Sequence, residues 1–125
     1  GEANGVPEEN LNKEREVGTV QRQSFTLAVE MGAKVVFATD SGIYPHGLNG
    51  RQFARMVRFG MTPTQAIQSA TSLTADLLGW EDQVGAIEEG LYADIIAVDG
   101  DPLDDSSELE DVDFVMKGGV VYKNK

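Results

Sequence analysis

The chain has no cysteine, a single histidine (His46), one tryptophan and four prolines among its 125 residues. Without cysteine there is no disulfide framework, no thiolate zinc site and no sulfur nucleophile. One histidine cannot by itself build a histidine-rich metal centre or a two-histidine relay. Every apolar run falls far short of the roughly 18 residues that a membrane span needs. Basic residues are scarce, 10 against 21 acidic, for a net charge of −11. That balance makes nucleic acid and anionic membrane surfaces poor partners. Phosphate-cradling G-x-x-x-x-G-K and G-x-G-x-x-G loops and the G-x-S-x-G nucleophile elbow are also missing. The chain opens Gly1-Glu2-Ala3-Asn4 with no initiator Met and no basic-then-apolar leader, so it reads as a cut piece of something longer. Location stays open between cytoplasm and periplasm.

What remains is an ordinary globular balance, 41% apolar and 25% charged, at the size of one domain. Charge is uneven along it. Residues 1–30 carry a net −3, residues 31–78 a net +2 and residues 79–125 a net −10. The shift near Gly79 divides the chain into 1–78 and 79–125. Glu8 to Gly32 reads as a long helix with a stripe of Val17, Val20, Ser24, Leu27, Ala28 and Met31, although Gly18 interrupts it. Lys34 to Thr39 is a short β-branched run of the kind buried in parallel sheets. A helix carrying Phe53, Met56, Val57 and Gly60 on one face and Arg51, Arg55 and Arg58 on the other follows the loop at 43–50. Thr62, Pro63 and Gln65 form a capping box that opens another helix, which runs through Leu77 and Leu78 to a stop at Gly79. Beyond it, Val84–Ile87, Ala93–Val98 and Asp113–Tyr122 read as strands, the last folded at Gly118-Gly119, with no helix expected. The order is α/β followed by β.

Asp40 is the first candidate for chemistry. A carboxylate straight after a buried parallel strand stands where α/β folds place reactive groups, although such an Asp also serves simply to cap a turn. A carboxylate there can ligate a divalent metal or move a proton. His46 and Tyr44, in the loop that follows, can reach a ligand or can be plain surface and packing. The three arginines can steer an acidic group or form the solvated side of their helix. The run Asp101–Asp113 lacks calcium-loop spacing and reads as solvating.

The blocks Phe37-Ala38-Thr39-Asp40-Ser41-Gly42, Pro45-His46-Gly47, Met56 to Pro63, Gln65 to Thr71, Gly85 to Gly90, Ala93 to Val98, Asp101-Pro102-Leu103 and Val115 to Gly119 together resemble the metal-dependent amidohydrolase superfamily. The likeness leans toward its Xaa-Pro dipeptidase (prolidase) branch, whose relatives include Lys/Arg carboxypeptidases. It implies the C-terminal part of a (β/α)8 TIM barrel, with Lys34 to Asp40 as its last strand, plus part of a small β-sandwich in 84–123. It further implies that Asp40 is the catalytic acid/base and a metal ligand, with two zinc ions in the complete enzyme. His46 and Tyr44 fall in the implied substrate-binding loop, a reading from position alone. The substrate would be a small peptide or amide. The superfamily's other ligands, a His-x-His pair among them, are absent from these 125 residues. The segment alone is therefore expected to be inactive, with the remainder of the barrel or another copy of the chain covering Val35 to Ala38. Two other classes stand beside this one: a non-catalytic acidic interaction or regulatory domain, and, on length and strand-end Asp40, a phosphoacceptor receiver.

Overall fold

Glu8 and Glu9 place negative charge at the amino end of helix α1 (Glu8–Glu30), where the helix dipole favours it. The helix closes at Met31, and Gly32 takes the left-handed conformation (φ 73°) that most side chains resist. These elements come from a computed structural model that describes residues 5, 7–42 and 45–125. The elements that follow are α2 (Arg51–Arg58), α3 (Pro63–Ala70), α4 (Ser72–Leu78), β1 (Ile95–Ala97), a 3₁₀ turn (Ser106–Glu110), β2 (Phe114–Lys117) and β3 (Val120–Asn124). The architecture is an α/β fragment: helices around one small core, then a three-stranded antiparallel sheet in the order β1-β2-β3.

The core is built on Met56, Met61 and Ala66, with Phe25, Val29, Val35, Phe37, Phe53 and Val57 packed around them. Phe37 and Phe53 stack tilted, ring centroids 4.5 Å apart. Thr26 Oγ1 donates to the Phe59 carbonyl (2.7 Å) and ties α1 to the end of α2. The stripe expected to bury α1 is not the one that packs. Val17, Val20, Leu27 and Met31 stay exposed, and α1 has no buried residue. Its contact face runs instead through Phe25 and Val29. Apolar residues lie on more than one side of this helix, so periodicity alone could not choose between faces.

Three further expectations are corrected. Lys34 to Asp40, read as the last barrel strand, pairs in no ladder among the described residues. Its Phe37 N–H donates instead to the Ser69 carbonyl (3.0 Å), at the end of α3. The helix read from Thr62 to Gly79 is two. Its capping box forms as expected, Gln65 N–H to Thr62 Oγ1 at 3.1 Å and Thr62 N–H to Gln65 Oε1 at 2.8 Å. The break comes at Thr71 (φ −128°, ψ −97°), where the Ser69 carbonyl accepts from Phe37 N–H and from Thr74 Oγ1 (2.6 Å). Hydroxyls that capture backbone carbonyls compete with the helical ladder. Val84–Ile87 is bent, irregular chain, not a strand. Gly85 sits at φ 96°, and a Cβ on it would lie 2.6 Å from Ala75 Cβ, so the chain returns against α4 at van der Waals contact.

The remaining strand readings hold within a residue or two. β1 pairs with β2 (Ile95 opposite Met116), and β2 turns into β3 through Gly118-Gly119, both at positive φ (55° and 82°), as a tight hairpin requires. Asp94 pins this turn by accepting from Gly118 N–H (2.7 Å) and Lys117 Nζ (3.2 Å). The second half also has the helical turn that was not expected there, Ser106–Glu110. Asp105 caps it through Ser107, and it docks beside the start of α2, where Arg51 meets Glu110 at 3.7 Å.

Candidate active site

Asp40 is the only non-glycine among the described residues with positive φ, 47°. An L-residue pays about 1–2 kcal/mol for that conformation, with Asp among the more tolerant types. Local strain of this kind is concentrated where a side chain must be aimed. The residue is exposed and stands on the wall of a cleft of about 920 Å³ between α1 and α2. Phe25, Met56 and Phe59 supply the apolar part of that wall. Gln21 and Gln52 add amides, and Arg22, Arg55 and Arg58 add positive charge. The volume falls within the range of small-molecule sites, roughly 300–1,000 Å³.

The structure brings together only part of what the sequence suggested. Arg55 and Arg58 share the cleft with Asp40, whereas Arg51 turns to Glu110. His46 is exposed on a turn in the loop before α2 and is not on the cleft wall. Tyr44 lies outside the described residues.

Two residues that sequence reasoning passed over flank Asp40. The side-chain oxygens of Ser41 (Oγ) and Asn49 (Oδ1) are shielded from solvent and have no hydrogen-bond partner among the described residues. Asn49 Nδ2 makes a long contact, 3.5 Å, to Thr39 Oγ1, next to Asp40. A buried polar atom left unpaired costs about 1–3 kcal/mol, and such atoms gather at sites that take up a further group. The one available signal was a polar residue set between Gly47 and Gly50 in a loop just after Asp40.

A metal ion needs more than this segment holds. Among the described residues no group of three or more His, Cys, Asp or Glu side chains comes close enough to hold one. Asp40 offers a single carboxylate, so the residues present do not by themselves fit a metal.

A sequence model described as the amidohydrolase family matches residues 1–122. The chain belongs to the amidohydrolase family. It is similar to ochratoxinase of Aspergillus niger, 29% identical over 95% of this chain and 25% of that protein. Among solved structures it is similar to a Xaa-Pro dipeptidase with methionine bound in the active site. That match has 46% identity and a TM-score of 0.88, and covers 95% of this chain and 29% of the other. It also resembles a prolidase complexed with N-methylphosphonate-L-proline, at 28% identity and TM-score 0.81, covering 97% of this chain and 30% of the other. The family member described here thus spans about a quarter of its curated relative and under a third of these structures.

Proposed function

We propose that this chain is the C-terminal part of a metal-dependent hydrolase that cleaves a C–N bond in a small peptide or amide, as a dipeptidase or carboxypeptidase does. The observation that carries the reading is Asp40, an exposed carboxylate at positive φ that lines a cleft of substrate size. Kinship with the Xaa-Pro dipeptidase supports it.

Asp40 takes the proton of the attacking water as the new C–O bond forms. It then delivers that proton to the amine nitrogen as the C–N bond breaks, acting first as base and then as acid. His46 and Tyr44 belong to the substrate-side loop in this reading. The divalent cations, zinc by the family's chemistry, are held mainly by residues outside these 125, and the segment alone is inactive. The exposed stripe of α1 and the unpaired run at Val35 to Ala38 are covered by the rest of the barrel, and Gly79 marks the passage from barrel to sandwich.

The test is Asp40→Asn in the full-length polypeptide that contains this segment, assayed for release of the amine product from a dipeptide panel. Loss of a positioned proton carrier lowers kcat by about 10²–10⁴-fold. Activity within twofold of the parent overturns the assignment.

A further inference from the structure

The chain around Asp40 carries three unfavourable features close together. Asp40 itself holds φ 47°, and the shielded oxygens Ser41 Oγ and Asn49 Oδ1 have no hydrogen-bond partner among the described residues. Each costs free energy, and such an arrangement persists only where the surrounding structure over-determines it. Whatever holds it has to act on both sides of residue 40.

On the preceding side the anchor is Phe37. Its N–H donates to the Ser69 carbonyl (3.0 Å), and its ring packs on that of Phe53 in α2. On the following side the chain is fixed where it enters α2. A Cβ on Gly50 would run into the Leu109 carbonyl oxygen and stand 3.1 Å from Glu110 Cα, so the backbone here lies directly against the 3₁₀ turn Ser106–Glu110. Arg51 meets Glu110 beside it, and the Asn49 carbonyl accepts from Gln52 N–H (3.1 Å) in the first turn of the helix. One side chain joins the two anchored ends. Asn49 Nδ2 donates to Thr39 Oγ1, a long but half-buried bond (3.5 Å) that spans ten residues and lands next to Asp40.

We propose that Asn49 is a positioning residue: by tying Thr39 to the head of α2 it keeps Asp40 at positive φ and so fixes where the carboxylate stands. The Ser106–Glu110 turn, from the other half of the chain, is the backing against which Asn49 works. That this placement serves amide hydrolysis rests on the hydrolase reading; the hold on the Asp40 backbone does not.

The experiment combines crystal structures and steady-state kinetics of the full-length polypeptide carrying Asn49→Leu, Thr39→Val or both. Thr39→Ser, which keeps the hydroxyl, is the control. Leucine and valine match the replaced side chains in size and remove the bond. Asp40 leaves the left-handed region in Asn49→Leu and in Thr39→Val, and stays there in Thr39→Ser. On the dipeptide that the parent cleaves fastest, kcat falls about tenfold or more in each single variant while KM stays within twofold. The double variant falls no further than either single one, because the two side chains act through one bond. Thr39→Ser keeps kcat within twofold of the parent. Asp40 still at positive φ in both bond-less variants overturns the proposal, whatever the rates do. So do losses that multiply in the double variant, and so does a raised KM at unchanged kcat. If Asn49→Leu does not fold, Thr39→Val decides the same question from the other end of the bond. A parent that hydrolyses no amide overturns the hydrolase reading, and the structures still decide the positioning role. A hydrolase in which the variants change neither the Asp40 backbone nor kcat overturns the positioning role alone.

Discussion

Replacing Asp40 with glycine sets stability against function at one position. The backbone there has φ 47°, a conformation costing a side-chain-bearing residue about 1–2 kcal/mol, less for Asp than for most. Glycine removes that cost but gives the unfolded chain extra freedom, worth about 0.4–1 kcal/mol against folding. Asp40 is exposed and makes no hydrogen bond or ion pair among the described residues, so the substitution removes none of those. The net expectation for Asp40→Gly is a gain of up to about 1 kcal/mol, read as a higher urea midpoint at unchanged m-value. Hydrolysis by the full-length polypeptide falls over the same substitution by about 10²-fold or more. A stabilising change that abolishes activity is what a strained functional residue predicts. A drop in stability of more than about 0.5 kcal/mol would show that the carboxylate holds the fold together, and the reasoning from strain would fail. Retained activity would separately remove Asp40 from the chemistry.

Other perturbations follow from local geometry. Thr62→Ala removes the side-chain acceptor of the α3 capping box and lowers stability by about 1 kcal/mol in urea unfolding, whereas Thr62→Ser keeps most of it. Gly85→Ala forces a Cβ to within 2.6 Å of Ala75 at φ 96°, and costs about 2 kcal/mol or more by the same assay. Gly79→Ala, also at positive φ but with open space around it, costs about 1 kcal/mol, so the difference between the two isolates the clash. Asp94 has its carboxyl held below the usual range, chiefly by the Gly118 N–H and further by Lys117, so it binds fewer protons folded than unfolded. Its contribution is therefore present above the ordinary carboxylate pKa of about 3.9 and fades as pH falls through the lower folded value. Amide signals of the Gly118-Gly119 turn should titrate in that acid window, and Asp94→Asn should abolish the transition. Lys125 works in the opposite sense: Asp111 raises its pKa, so its contribution holds below the usual lysine range and is lost as pH rises through the folded value.

The parts of the fold legible in the sequence are those decided within a few residues. The capping box at Thr62, the stops at Gly32 and Gly79 and the Gly118-Gly119 hairpin all depend on short-range chemistry, and all are found where the residues put them. What escaped depends on distant partners. The choice between the faces of α1 was made by Met56 and Met61, some thirty residues away, and the split at Thr71 by a carbonyl turned toward Phe37. The same division runs through the site. Asp40 stands out as a candidate because its place after an apolar run and a family motif coincide there, whereas Arg22 carries no signal of either kind. Arg22 is a helix-surface residue and Arg58 part of a polar face by pattern alone, and only the packing of α1 on α2 sets both over Phe59. Gly18 makes the point most sharply. As sequence it is a flaw in a helix, disfavoured by up to about 1 kcal/mol against alanine. In the folded chain the Arg22 guanidinium lies back over it, its Nη1 3.0 Å from where an added Cβ would stand, a neighbour that pattern alone does not supply.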